Sequence, residues 1–209
     1  MRRGKVLNLS RFKLNEFLLK NGLFTFLCIL FITGIILGSV IWDNTPNLTD
    51  FSKGNFTDFL NSRSQNQFFR IFIDSFLSSL TVAAIIFISG SSMFGIVLVP
   101  SVLIYEGFTY GALSAFVYSQ YALKGIAFNA VLLLPFSCIL TLTLIALSVE
   151  SVKFSFSLGK LTLPSTVPQN LFFSFKIYFL KFIVFSVFIL LSAVIDALLS
   201  SAFISKFNF

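Results

Sequence analysis

The chain has 209 residues, 56% of them hydrophobic and only 11% charged, with a formal net charge of +7 and no histidine. A water-soluble domain carries about 25% charged residues, so this composition, with a mean hydropathy of +0.94, excludes a soluble globule and makes lipid the main solvent. The missing histidine excludes His-based general-base catalysis, HExxH zinc chemistry and haem–His ligation.

Residues 1–22 are basic, with Arg2, Arg3, Lys5, Arg11, Lys13 and Lys20 set against Glu16 alone. Val6, Leu9, Phe12, Leu14, Phe17 and Leu18 give this stretch an apolar side. It reads either as a cytoplasmic amphipathic segment on the inner membrane surface or as a solvated tail that sets topology. Residues 23–209 read as one helical membrane domain. Its first span is Leu23–Trp42, about 20 residues, enough to cross a hydrocarbon core of about 30 Å. Ile41-Trp42-Asp43 lacks the small residues of a signal-peptide cleavage site, so the span is an anchor. Residues 43–70 form an outer loop, in which Phe56, Phe59 and Leu60 have the spacing of a short interfacial helix.

Further spans are expected over 71–89, 93–118, 126–149 and 171–202, which gives about five in all. A break falls at Gly90-Ser91-Ser92 and a tight connection at 120–125. Residues 150–170 read as an inner loop. Prolines at 100 and 135 are tolerable inside such spans because neighbouring helices satisfy the freed carbonyls. The expected fold is therefore all-α, a polytopic membrane protein with its N-terminus inside. Basic residues support that orientation: with it, nine lie on the inner side and five on the outer, and the first span usually dominates. The expected location is the cell membrane, crossed several times. A charge of +7 in a soluble protein would suggest nucleic acid. Here the cations flank apolar spans, and no nucleic-acid partner is expected. The lipid bilayer is.

Two small-residue motifs predict close helix packing: Gly34 and Gly38 in the first span, and Gly107 and Gly111 in the third, extended by Ala115. Glycines four apart clear one helix face and let another backbone approach. The neighbour is either internal or a second subunit in a homo-oligomer. Four ionisable side chains lie inside apolar runs. Asp74 and Asp196 are near outer ends and are expected to reach the headgroups. Glu106 and Lys181 are deeper, and an ion pair between them is expected. Cys28 and Cys138 read as small core residues. No nucleophile elbow or phosphate-cradling glycine loop is present. The flanks of Asp74 and Asp196 lack the glycine-rich context of an intramembrane aspartyl protease. The chain is read as no enzyme, with no cofactor and no metal.

Gly90, Gly95, the run Glu-Gly-Phe-Thr-Tyr-Gly at 106–111, the turn ending in Lys124-Gly125 and Leu-Leu-Pro at 133–135 together resemble the stage II sporulation protein M family. The five-span layout with a basic start and an outer loop is similar too. The chain departs from the pattern in two places: Phe136 follows Pro135 where members carry a polar residue, and Pro100 sits later after Gly95. The resemblance implies a non-enzymatic membrane scaffold that recruits or organises cell-wall hydrolases at the septal and engulfing membrane during sporulation. It implies that the 43–70 loop and the outer helix ends are the contact surface. A second reading, from the midplane charges and interrupted helices, is the membrane subunit of a transporter working with a separate ATPase.

Overall fold

An apolar run in lipid must satisfy its backbone N–H and C=O groups within the protein, which leaves helices or a closed barrel. In the computed structural model the described residues are 22–42, 46–64, 68–161 and 171–204, and they are helical almost throughout. All but the last residue of the basic segment 1–22 lies outside them, as do residues 162–170 of the expected inner loop. The helices are α1 (Gly22–Ile41), α2 (Pro46–Ser64), α3 (Phe68–Gly90), α4 (Gly95–Phe128), a π-helical turn (Asn129–Leu133), α5 (Leu134–Leu161) and α6 (Leu171–Phe203).

Four helical stretches are long and apolar enough to cross a membrane, and one of them, Gly95–Lys160, has 66 residues. Straight, it would reach about 100 Å, three times the thickness of a hydrocarbon core. It folds back instead. Ala122 has φ 45° and ψ −122°, the geometry of the first central residue of a type II′ turn, which favours glycine. Beyond the turn a Cβ on Gly125 would collide with the Val117 carbonyl, so only glycine lets the arms meet there. Tyr110 and Ser137 lie 27 positions apart, yet their hydroxyls are 3.4 Å apart. The stretch is thus a hairpin of two antiparallel arms. The π-turn directly precedes Pro135. Proline cannot donate to the carbonyl four residues back and its ring crowds it, and a widened turn relieves both.

The largest helix pairing is α1 on α4. A Cβ on Gly34 would lie 2.5 Å from the Ile104 carbonyl, and one on Gly38 would overlap the Phe108 carbonyl. From the other side, Gly107 faces the Phe31 carbonyl and Gly111 the Ile35 carbonyl. The four glycines therefore meet one another's helix across bare backbone, within one chain. Residue numbers rise together along the two helices, so α1 and α4 run parallel. Ala115 lies past this crossing, packed on the aromatic cluster that includes Trp42 and Phe116.

Parallel packing of α1 and α4 puts their starts at one end. The α3–α4 turn is at that same end: Ser155 Oγ donates to the Ser92 carbonyl at 2.7 Å, and Gly90 abuts Ser151 and Tyr178. The opposite end holds Trp42, α2, the hairpin tip and the end of α6. Two cores result. One, around Leu27, Ile86, Val99, Leu103, Leu147 and Ile189, fills the middle. The other, around Trp42, Phe56, Phe116, Phe128 and Ile204, closes the α2 end. Elsewhere large apolar side chains face outward, among them Val40, Ile88, Val97 and Phe188, as they should where lipid is the solvent.

Helix α5 does not stop at Glu150, where the inner loop was expected to begin; it continues to Leu161. Ser151 and Ser155 explain the extension, since both are fully buried, the first hydrogen-bonded to Tyr178 of α6 and the second to the α3–α4 turn.

Three substitutions probe this backbone geometry by thermal unfolding of the purified protein in detergent. Gly38→Ala forces a methyl into the Phe108 carbonyl and should cost about 1–3 kcal/mol. Gly54→Ala has nothing within reach of the new methyl and should raise stability by about 0.5 kcal/mol. Ala122→Gly releases a backbone strained for alanine and should stabilise by about 1 kcal/mol.

Candidate functional site

Helix α2 is the one described helix without the apolar character of a membrane span. It lies across the end of the bundle, and two kinds of contact hold it there. The first is aromatic. Phe56 is 2% exposed, with ring centroids 5.8 Å from Phe116, 5.6 Å from Tyr121 and 5.6 Å from Phe128. Phe59 is 6.0 Å from Phe128, and Trp42 adds an edge contact to Phe116. Centroid distances of 4.5–7 Å are those of favourable ring pairs. The hairpin tip of α4 thereby becomes the floor under α2.

The second contact is ionic. Arg63, in the last turn of α2, pairs with Asp196 of α6. Ser75 of α3 also donates to Asp196 Oδ2, and Ser200 donates to Oδ1 at 3.1 Å. The guanidinium donates further to Ser200 Oγ at 3.2 Å and to Ser75 Oγ at 3.1 Å, and it stacks 3.5 Å over the Phe59 ring. Asp196 is fully buried and Arg63 nearly so. Burial pushes the Arg63 guanidinium pKa down and the Asp196 carboxylate pushes it back up; a guanidinium stays cationic across the physiological range. This joint ties α2, α3 and α6 together, and it corrects the expectation that Asp196 reaches the headgroups. Its carboxylate turns inward because Arg63 enters the bundle to meet it. Asp74 is exposed.

The face of α2 turned away from the bundle carries Lys53, Thr57, Asp58 and Asn61, all exposed. It is polar and mixed in charge.

A second polar group lies within the hairpin. Asn129 donates to Tyr118 Oη at 2.6 Å and to Ser114 Oγ at 3.2 Å, and its Oδ1 accepts from Tyr110 at 3.3 Å. Tyr110, Ser114 and Tyr118 recur every fourth residue, which is one helix face. Extending that series back one turn reaches Glu106, part-exposed and making no hydrogen bond or ion pair among the described residues.

The expected Glu106–Lys181 pair does not form. Lys181 pairs with Glu150, which also holds Lys153 at 3.1 Å. The reason is depth. The 33 residues of α6 make about 50 Å of helix, well over a membrane core, so Lys181 sits nearer the α3–α4 turn than a centred span would put it. Glu106, eleven residues into α4, lies deeper. Of the two cysteines, Cys28 packs part-buried against the central core, whereas Cys138 is exposed rather than in the core; both are free thiols. No group of three His, Cys, Asp or Glu suited to a metal ion occurs among the described residues.

Sequence reading located Phe56, Phe59 and Leu60 but missed Arg63 as the partner of Asp196. The signal was Arg63 one turn beyond Phe59, an arginine on the apolar face of an otherwise polar helix.

Breaking the joint from one side leaves the other charge buried, so Asp196→Asn or Arg63→Gln should each cost about 3–5 kcal/mol. The double change Arg63→Met with Asp196→Leu should recover most of that loss in the same thermal unfolding assay.

The family model described as Stage II sporulation protein M matches residues 27–201, most of the chain. The chain belongs to that family. No curated protein and no solved structure matches it.

Proposed function

We propose that this member of the stage II sporulation protein M family is a non-enzymatic, multi-pass scaffold of the cell membrane that presents α2 on the outer face to cell-wall hydrolases at the septal and engulfing membrane. In this reading the N-terminus is inside and the five helical arms are five crossings. The observation that carries it is the anchored polar helix. Aromatic and ionic contacts take up its packed side, which leaves the opposite, exposed side to meet a partner protein. Phe56, Phe59 and Arg63 are committed to holding it, while Lys53, Thr57, Asp58 and Asn61 remain outward. The family's description supports sporulation as the setting.

The second reading, a transporter's membrane subunit, draws on the polar face from Tyr118 to Glu106. Pull-down from cross-linked membranes of sporulating cells separates the two. The scaffold reading expects extracytoplasmic hydrolases to co-purify, and expects Lys53→Glu with Asp58→Lys to reduce their recovery about tenfold, an interface effect of about 1.4 kcal/mol, without lowering the amount of this protein in the membrane. A cytosolic ATPase in place of the hydrolases would overturn it.

A further inference from the structure

At the end of the bundle opposite α2, helices α5 and α6 diverge around a notch of about 180 Å³ lined by Glu150, Lys153, Ser157, Ser174, Tyr178 and Lys181. Its level in the membrane follows from its neighbours. Ser155 donates to the Ser92 and Met93 carbonyls, and Tyr178 donates to the Phe87 carbonyl at 3.0 Å. The notch is therefore within a turn or two of the α3–α4 turn, where two apolar helices end and the headgroup layer begins.

Its chemistry is that of an anion site with one acidic wall. Lys153 and Lys181 have side chains 60% and 47% exposed. Each directs one donor at Glu150, and an ammonium has three. Two donors per lysine are left to face the opening. Lys160 and Lys176 add charge at the same end, where Glu150 is the sole carboxylate among the described residues. The notch also continues into an apolar track. Ile177, Val184, Phe188 and Leu191 lie along the Lys181 face of α6 at helical spacing, all exposed. Leu142, also exposed, lies two turns along α5 from Glu150.

From these observations we infer that the notch holds an anionic phospholipid, its phosphate between Lys153 and Lys181 and an acyl chain along Ile177, Val184 and Phe188. The apolar track distinguishes a lipid from a free phosphate ion, which would use the lysines alone. Basic pockets between helices at the cytoplasmic side are a recurring form of headgroup site. The site is independent of the outer helix and of what binds there.

Native mass spectrometry of the detergent-purified chain with equal amounts of phosphatidylglycerol and phosphatidylcholine tests this. Wild type should retain phosphatidylglycerol preferentially. Lys153→Gln with Lys181→Gln should reduce retention about fivefold for each lysine removed, while Lys124→Gln, at the other end, should change nothing. Glu150→Gln removes the acidic wall and should raise retention, an outcome that loss of structure would not produce. Equal retention by the double lysine variant, or an equal loss in Lys124→Gln, would overturn the site. Displacement of the lipid by glycerol phosphate at equal concentration would overturn its assignment to a lipid. Lys153→Gln alone carries the test if the double variant does not fold.

Discussion

The crossing of α1 and α4 is the constraint from which the remaining arrangement follows. In lipid the hydrophobic effect offers no preference between one apolar helix face and another, so close backbone contact and buried polar groups decide which helices associate. Gly34 and Gly38 on one helix, with Gly107 and Gly111 on the other, bring the two backbones into direct contact. Because α1 and α4 are parallel, the chain between them must cross back once, and α3 does. With α1 ending at the far side, α2 is confined to that side. The reversal at Ala122 then returns the chain, and α6 closes the set beside α3 and α5.

The few charges divide according to depth. At the α2 end one ion pair, Arg63 with Asp196, is almost wholly buried and surrounded by serine hydroxyls, and it fixes a polar helix to an apolar bundle. Such a pair need not add net stability, since removing two ions from water costs nearly what their attraction returns. What it gives is position: α2 can end over Asp196 and nowhere else. At the opposite end Lys153 and Lys181 remain largely exposed around Glu150. Between them Glu106 continues the polar face of Tyr110, Ser114 and Tyr118. The bundle thus carries an anchored polar helix at one end and a basic, exposed cluster at the other.

The elements were legible where hydropathy and glycine spacing were the governing signals. The helical spans, the helix around Phe56 and the two glycine pairs follow from composition and from the three-to-four-residue period. Pairing of charges was not legible, because it depends on how far each helix overhangs the membrane. Centring α6 in its apolar run put Lys181 at the depth of Glu106, whereas the helix protrudes and delivers Lys181 to Glu150. Arg63 and Asp196 are 133 positions apart, on helices that never follow one another, so only the folded bundle brings them together. The helical extension past Glu150 was hidden for a similar reason: Ser151 and Ser155 look like loop residues until their partners on α6 and in the α3–α4 turn are in place.

The bundle has five arms whose ends alternate, with α2 and the hairpin tip on one side and the α3–α4 turn on the other. The direct measurement is labelling of single cysteines by a membrane-impermeant thiol reagent, in a background lacking Cys28 and Cys138, at the exposed positions Thr57, Met93, Lys124 and Lys160. In intact cells Thr57→Cys and Lys124→Cys should react, while Met93→Cys and Lys160→Cys should react only after the membrane is opened. Labelling of Met93→Cys and Lys124→Cys from the same side would contradict this alternation.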